Sequence, residues 1–590
     1  MSFCVVAGKD MTSENGYRRY GEFFAKYKYQ ETPSPLYILE NEKYLILTVG
    51  DYFDIDDIDN LLLDSWEINP SKLTDVSSAF SIVKIDKVEG NVYFATSKSG
   101  IENMYYYYKD EVFIITDDFW EAVNVIDPSF NDIDRQYLHE TIINIYPLFE
   151  GTIIKNLYWV LPAKCGSYLC RSKHLIMQRY WDFYYQPIKD RSFDDAVEDM
   201  DRILNETMQK IKQKCGNVQY SIGLSGGMDS RIIPYYAIKN GLMLNSFIIG
   251  EKRPLKILLS RDHKSARQLA KFYNLEHKEI EYNYDTFETR IKNSVMHNPL
   301  GGSQVFKLVI NGLPKFEVLL NGGNGAIVGA TLPEDILGMN EDAMIDYITR
   351  SFDNINEISL FQDRISRALK YLFNINYQPK PKSITWLKKI VPPEIRENMK
   401  TKLRNFITER KGLGRSNLDI YGEYSTHFLG CRNRRGAFES ICGHKRSFSI
   451  WSPFFVNEAM SWDVNYMLDR ALLKELIRRK IPGIADIKTQ SYETSIAKEN
   501  VGKLQRIWAL GIYLLRGAGT MGYNRWVKKR EFKNEFKKIM NKNTLWFYQL
   551  IPIKNELDEI CKTQYRLAEA LIKVKCVLDA IETKDYKNFI

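Results

Sequence analysis

Two serines, two glycines and an aspartate crowd into the stretch SGGMDS, Ser225 to Ser230. Gly226 and Gly227 permit positive φ and a close backbone approach to a ligand. Ser225 and Ser230 add hydroxyls to the N–H groups that a helix start leaves uncapped. Phosphate is the natural guest. Asp229 is out of place beside a phosphate unless a cation such as Mg²⁺ lies between the two. The turn therefore implies a nucleotide with its metal, set against a plainer alternative in which Ser and Asp only cap a helix. The glycine-spaced Lys-Ser/Thr of the ordinary Walker loop is absent.

The elements around the turn suit that chemistry. Tyr220 to Leu224 read as a short strand, and the chain from Arg231 reads as the start of an apolar helix. From about 190 to 500, strands alternate with helices as in an open parallel sheet, which places the turn at a strand's carboxyl end. Within it, 335 to 425 is mostly helical. Residues 1 to 185 hold short alternating strands and turns, such as KYLILTVGDYF and NVYFATSKSG. Beyond 500 the chain reads as basic, aromatic helices. RWVKKREFKNEFKK, Arg525 to Lys538, has seven basic and two acidic residues, with Trp526, Phe532 and Phe536 near helical spacing, as in an amphipathic surface helix.

Composition narrows the class. A chain of 590 residues exceeds one core and suggests roughly two to four domains. No run reaches the roughly 18 apolar residues of a membrane span, and the first residues lack a basic segment followed by a long apolar core. A cytoplasmic protein is expected. Eight cysteines, Cys4, Cys165, Cys170, Cys215, Cys431, Cys442, Cys561 and Cys576, form no CxxC pair and read as reduced, buried thiols. His427, Cys431, Cys442 and His444 match no common zinc spacing. The net charge of +8 is modest for this length, so nucleic acid is the lesser partner class.

SGGMDS resembles the pyrophosphate-binding loop SGGxDS of enzymes that split ATP into AMP and pyrophosphate, and its surroundings resemble the asparagine synthetase branch of that group. Upstream, VLPAKCGSYLCRSKHLIMQRYWDF is similar to the family's PAGSYL…YW passage, and VYFATSKSGIENMYYYYKDEVFIITDD to its ARDRFGIKPLYY…FASE hairpins. Downstream, SFIIGEKRPLKILLSRDHKSARQLAKFYNLEHKEIEY resembles its second strand, helix and following strand. The resemblance spans most of residues 1 to 500. It implies an α/β chain with three parts: an N-terminal Ntn-hydrolase-like αββα domain over 1–185, a PP-loop synthetase domain with an open parallel sheet over 190–500, and a helical C-terminal extension over 501–590. It also implies ATP held by Leu224, Ser225, Gly226, Gly227, Asp229, Ser230, Ile249 and Gly322, with adenine between the first two strands. Other SGGxDS proteins modify tRNA, which keeps RNA as a rival.

Several positions depart from the family pattern. Its glutaminase uses an N-terminal Cys whose free α-amine is the base. Here processing would expose Ser2, while Cys4 lies inside the chain and reads as a core residue of a strand. Val49, in VGDYFD, stands where the glutamine-binding amide belongs. The acidic loop SGEGSDE has its nearest match in NGGNGAIVG, where Gly323 and Ala326 take the acidic positions. Asp229 is then the one metal carboxylate, with Asn324, Glu334 or Asp335 as helpers. In IPGIADIKTQSYE, Lys488 falls on an arginine position and Gln490 on the family's catalytic lysine, so Lys488 is either the catalytic cation or a surface lysine.

A retained amidotransferase scaffold without its nucleophile is similar in logic to β-lactam synthetase and the lasso-peptide cyclases. That implies an amide-forming ligase using ATP and Mg²⁺, which joins a small-molecule or peptide carboxylate to an amine through an acyl-adenylate, without glutamine hydrolysis. A homodimer is compatible with it. The alternative is a nucleotide-binding scaffold or partner in a biosynthetic cluster.

Overall fold

The computed structural model describes residues 2–28, 36–51, 66–250, 261–281, 295, 299–300, 313–323, 336–353, 390–426, 446–488, 496 and 533–588, apart from 75, 77, 101, 145, 452, 543, 544 and 564. The zinc-like set His427, Cys431, Cys442 and His444 lies outside the described residues, as do Asn324, Ala326, Glu334, Asp335, Gln490 and most of the basic stretch 525–538.

Short, largely apolar strands build the first part. Its strands are β1 (Ser2–Ala7), β2 (Arg18–Tyr20), β3 (Phe23–Lys28), β4 (Leu36–Glu40), β5 (Tyr44–Asp51), β6 (Ala79–Asp86), β7 (Asn91–Thr96), β8 (Tyr105–Lys109), β9 (Val112–Thr116), β10 (Leu157–Trp159), β11 (Lys164–Leu169) and β12 (His174–Arg179). They form two six-stranded sheets, in the orders β10-β8-β9-β1-β3-β2 and β12-β11-β7-β6-β5-β4. Neighbouring strands run antiparallel throughout. Phe3, Val5 and Ala7 of β1 face Leu45, Leu47, Val83, Ile85 and Phe94 between the sheets. Cys4 and Val6 face the other way, with Tyr17, Ile114 and Val125. Strand β1 is therefore covered on both faces. The helices Phe119–Ile126 and Arg135–Asn144 join Tyr105, Leu157 and Trp159 of the first sheet in a further core.

A parallel sheet follows, with strands β13 (Gln219–Gly223), β14 (Met243–Gly250), β15 (His277–Glu281), β16 (Val318–Asn321) and β17 (Arg446–Ser449) in the order β15-β14-β13-β16-β17. The chain starts in the middle, at β13, and builds outward on both sides. The carboxyl end of β13 is thus where the strand order reverses, the crevice in which open parallel sheets bind ligands. The helix Phe193–Cys215 precedes β13. Its start is fixed by a capping box of Ser192 with Asp195, and it buries Ala196, Met200, Ile203, Leu204 and Ile211 on one stripe.

The C-terminal region is helical, so the chain as a whole is mixed α/β. The helix Tyr565–Thr583 buries Leu571, Val574, Leu578 and Ile581 at spacings of three and four, in the same core as Leu138 and Ile142 of the helix Arg135–Asn144. The indole of Trp120 and the ring of Tyr586 stack with centroids 6.1 Å apart, and Lys584 pairs with Asp127 at 2.9 Å. That core also takes in Met344, Ile345, Met399 and Leu403, so residues remote in sequence share one apolar interior. Among the described residues, no helix is long and apolar enough to cross a membrane.

Candidate functional site

Strand β13 does not stop cleanly. Leu224 continues its ladder by one residue, donating its N–H to the Phe247 carbonyl at 2.8 Å, and is buried. The chain then turns, and the helix Met228–Lys239 begins with Gly227 as its cap. The helix starts three residues earlier than its apolar run suggests, because Met228, Asp229 and Ser230 form its first turn. Their N–H groups have no earlier helical carbonyl to donate to.

The two serines lock the turn. Ser225 N–H donates to Ser230 Oγ at 3.1 Å, Gly227 N–H donates to Ser225 Oγ at 3.1 Å, and the two hydroxyl oxygens are 2.9 Å apart. Neither Gly226 nor Gly227 takes a positive φ, and Gly227 is extended, with φ −69° and ψ 160°. The expectation that these glycines serve by left-handed backbone is therefore corrected. At Gly227 the approach is close, since a Cβ there would meet Ser225 Oγ at 3.1 Å and the serine would have to give way. The amide of Gly226 donates to Asp262 Oδ1 at 3.0 Å, from the first turn of the helix Arg261–Phe272. Burial pushes the Asp262 carboxyl up, against the pull of that N–H and of His263.

Just past the motif lies Arg231, which is fully buried. Its guanidinium has five N–H donors, and each meets a backbone carbonyl. Gly226 O is at 3.0 Å, Gly227 O at 3.2 Å, Ile484 O at 3.2 Å, Ile487 O at 2.9 Å and Lys488 O at 3.3 Å. Among the described residues no carboxylate pairs with it, and burial pulls it down to about 10, so it stays charged at neutral pH. It ties the turn to the segment that ends at Lys488. Ser265 adds a second tie to the Lys488 carbonyl at 2.9 Å. The Lys488 backbone is therefore held beside the turn, with its side chain exposed.

Asp229 lies on the other side. Arg470 Nη2 donates to both of its oxygens, at 2.9 and 2.7 Å, and Trp451 Nε1 donates to Oδ1 at 3.1 Å. Gly322 presses on it so closely that an added Cβ would come within 2.5 Å of the Asp229 Cβ. The second loop is shaped by Asn321, which accepts from Gly323 N–H at 2.8 Å and donates to Ser447 Oγ at 2.9 Å. Ile249 sits near the carboxyl end of β14, beside Phe247 and Ile280.

These contacts test whether Asp229 suits a magnesium ion. Mg²⁺ asks for hard oxygen ligands in an open octahedron. Asp229 already gives both oxygens to a guanidinium, and among the described residues no three His, Cys, Asp or Glu gather as a metal group. The donor set does not fit a protein-held magnesium ion.

The N-terminal strand holds no exposed thiol. Cys4 is buried, and burial pushes its thiol far above the usual range. Val49 is fully buried between the sheets. Cys4, Cys165 and Cys561 are buried, and Cys170, Cys215 and Cys576 are half-buried.

Sequence reasoning brought Leu224 to Ser230, Gly322, Ile249 and the Lys488 backbone to one end of one sheet, and it missed Arg231, Asp262, Trp451 and Arg470. Arg231 carried a local signal, a charged residue on the buried face of an apolar helix. Arg470 carried none, because its partner is 241 positions away.

No family model matches this chain, and no curated relative is found. Among solved structures, it is similar to a glutamine phosphoribosylpyrophosphate amidotransferase from B. subtilis complexed with ADP and GMP, at 11% identity over 45% of this chain and 64% of that one, with a TM-score of 0.18. The chain thus spans less than two thirds of that protein's length. It is also similar to an allosteric regulatory enzyme of purine biosynthesis, at 11% identity over 58% and 72% of the two chains, TM-score 0.20. A U34-tRNA thiolase from Methanococcus maripaludis with its 4Fe-4S cluster matches at 14% identity over 40% and 78%, TM-score 0.18. Likenesses this slight carry no argument about fold or activity.

Proposed function

We propose that this protein is an ATP-dependent, AMP-forming ligase that makes an amide bond, in the manner of asparagine synthetase-like enzymes. One observation carries the reading: the turn 224–230 leaves β13 where the strand order of the parallel sheet reverses, with a buried cation, Arg231, directly beneath it. Phosphate oxygens of ATP are bound by the first-turn amides of Met228, Asp229 and Ser230 and by the serine hydroxyls, and the charge of Arg231 favours an anion there. The adenine lies beside Ile249. A substrate carboxylate oxygen attacks the α-phosphorus, pyrophosphate leaves, and an amine then attacks the acyl carbon with AMP as leaving group. Lys488, held at the turn through its own backbone, is the cation assigned to the developing negative charge. The buried Cys4 thiol supports a first domain that does not hydrolyse glutamine.

Pyrophosphate exchange tests this. Protein, ATP and radiolabelled pyrophosphate are mixed with a panel of amino acids and peptide acids. Label entering ATP only when an acid is present supports the ligase. The second reading, a nucleotide-binding scaffold, is favoured by the self-paired state of Asp229, and binding without exchange for any acid would select it.

A further inference from the structure

We infer that Arg470 takes the place of a metal ion at Asp229, so that this site grips the phosphate tail of its nucleotide through a guanidinium without needing a protein-held divalent cation. The inference rests on the reading of the turn as a nucleotide site, and it names the cation that works there. Three independent features point to it.

The first is the pairing itself. A carboxylate at the start of a phosphate-binding helix needs a cation to bridge it to the anion. Arg470 supplies one at hydrogen-bond distance from both Asp229 oxygens. The second is unused capacity. Both of those bonds leave from Nη2, while Nε is buried with no acceptor among the described residues. Nε and Nη2 share one edge of the planar guanidinium, so the unused Nε–H lies beside the bonds to Asp229 and is a donor left over for a phosphate oxygen, a fixed fork that an ammonium lacks. The third is the backbone that aims it. Asp469 and Arg470 both lie in the left-handed region, at φ 51° and 57°, between the turn Val464–Arg470 and the helix Ala471–Lys480. Two successive non-glycine residues of that kind are costly and persist where the surroundings fix them. Here the Asp229 pair holds the Arg470 side chain, and the indole of Trp451 in turn holds Asp229. The second loop fits the same picture, because its described residues, Asn321, Gly322 and Gly323, offer no carboxylate to a metal.

The test is titration of the full-length protein with a non-hydrolysable ATP analogue, followed by calorimetry, once in EDTA and once in magnesium. The wild type is expected to bind in EDTA within about threefold of its affinity in magnesium. Arg470→Gln should weaken binding in EDTA by roughly 10- to 100-fold, the size of one or two charged hydrogen bonds. Magnesium should restore much of that loss, because Asp229 is then free to take the ion. A purely structural role for Arg470 would not produce magnesium rescue. Arg470→Lys keeps the charge and should fall between the two. If wild-type binding disappears in EDTA and is present only in magnesium, the inference is overturned while the nucleotide site stands. If the folded wild type binds the analogue in neither condition, the nucleotide site falls as well. The wild-type comparison decides between these outcomes even if the glutamine variant does not fold.

Discussion

Replacing Arg231 with methionine should uncouple two segments that lie more than 250 residues apart. The side chain holds Gly226 and Gly227 on one side and Ile484, Ile487 and Lys488 on the other. Burial pulls its guanidinium to about 10 from an ordinary 12.5, which amounts to about 3 kcal/mol against the charged form in the fold. Five hydrogen bonds from a charged donor, at roughly 1.5–3 kcal/mol each, outweigh that cost. Methionine removes the donors and the charge together. The carbonyls of the 484–488 segment can recover water when it opens, so a net loss of about 1 kcal/mol for each of the three bonds there is the reasonable scale. About 3 kcal/mol corresponds to an opening equilibrium raised roughly 100-fold. Amide hydrogen exchange read by mass spectrometry measures it directly. Peptides covering 224–230 and 481–488 should lose protection together, while those from β5 and β6 stay unchanged. A guanidinium with a lowered value stays protonated below about 10 in both folded and unfolded chains, so the loss should be the same at pH 6 and pH 8 after correction for intrinsic exchange. Unchanged protection at 481–488, or protection lost at only one of the two segments, would refute the clamp.

Asp262→Asn keeps an acceptor for Gly226 N–H but removes an anion from the phosphate seat. Affinity for an ATP analogue should rise about fivefold, an estimate of order 1 kcal/mol discounted for partial exposure, and titration calorimetry reads it. Leu571→Ala opens a cavity in the core shared by the C-terminal helix and the helix Arg135–Asn144; it should cost about 2–5 kcal/mol, measured as a lowered denaturation midpoint. Cys4 should resist alkylation in the native protein at pH 8 while half-buried Cys170 reacts. Because its folded value is raised, the stability it contributes is complete below the unfolded thiol value near 8.5 and is lost as the pH climbs above it, so the melting temperature should fall on that side. A Cys4→Ser variant that melts with the same pH dependence would remove the thiol as its cause.

The parts of the fold legible in the sequence were those with local patterns. Short apolar runs such as Tyr44–Asp51 gave strands, and a strand, a Gly/Ser turn and an apolar run gave β13 with its helix. What one stretch cannot show is which other stretch packs on it. The chain beyond 500 reads as basic, aromatic helices, yet nothing in it says that Tyr565–Thr583 shares a core with Leu138 and Ile142. The turn shows the same division. Its residue types give the expectation of an anion site, but the glycine conformation is not legible in them, because closeness and positive φ both select glycine. In the sequence Asp229 reads as a metal ligand, because its partner, Arg470, sits beyond any local window.

The charges gathered at the turn then bear on how it can work. Arg231 and Arg470 bring two positive charges, and Asp229 and Asp262 bring two negative ones, so these four charges cancel. A seat neutralised by its own carboxylates avoids the repulsion that would follow from leaving two buried cations unmatched. In the nucleotide site proposed above, a polyanion would bind by exchange: Asp262 would give up the Gly226 amide, and Arg470 would share its guanidinium between Asp229 and a phosphate. Affinity then equals the gain from new phosphate contacts minus the loss of these internal ones. For that reason the two carboxylates should behave differently. Neutralising Asp262 removes a competitor and tightens binding, whereas Asp229→Asn releases Arg470 from its anchor and leaves a side chain with two left-handed residues behind it free to swing away. Analogue affinity in EDTA should therefore fall in the Asp229 variant, and a rise there equal to that of Asp262→Asn would show that Asp229 only competes and does not aim the arginine.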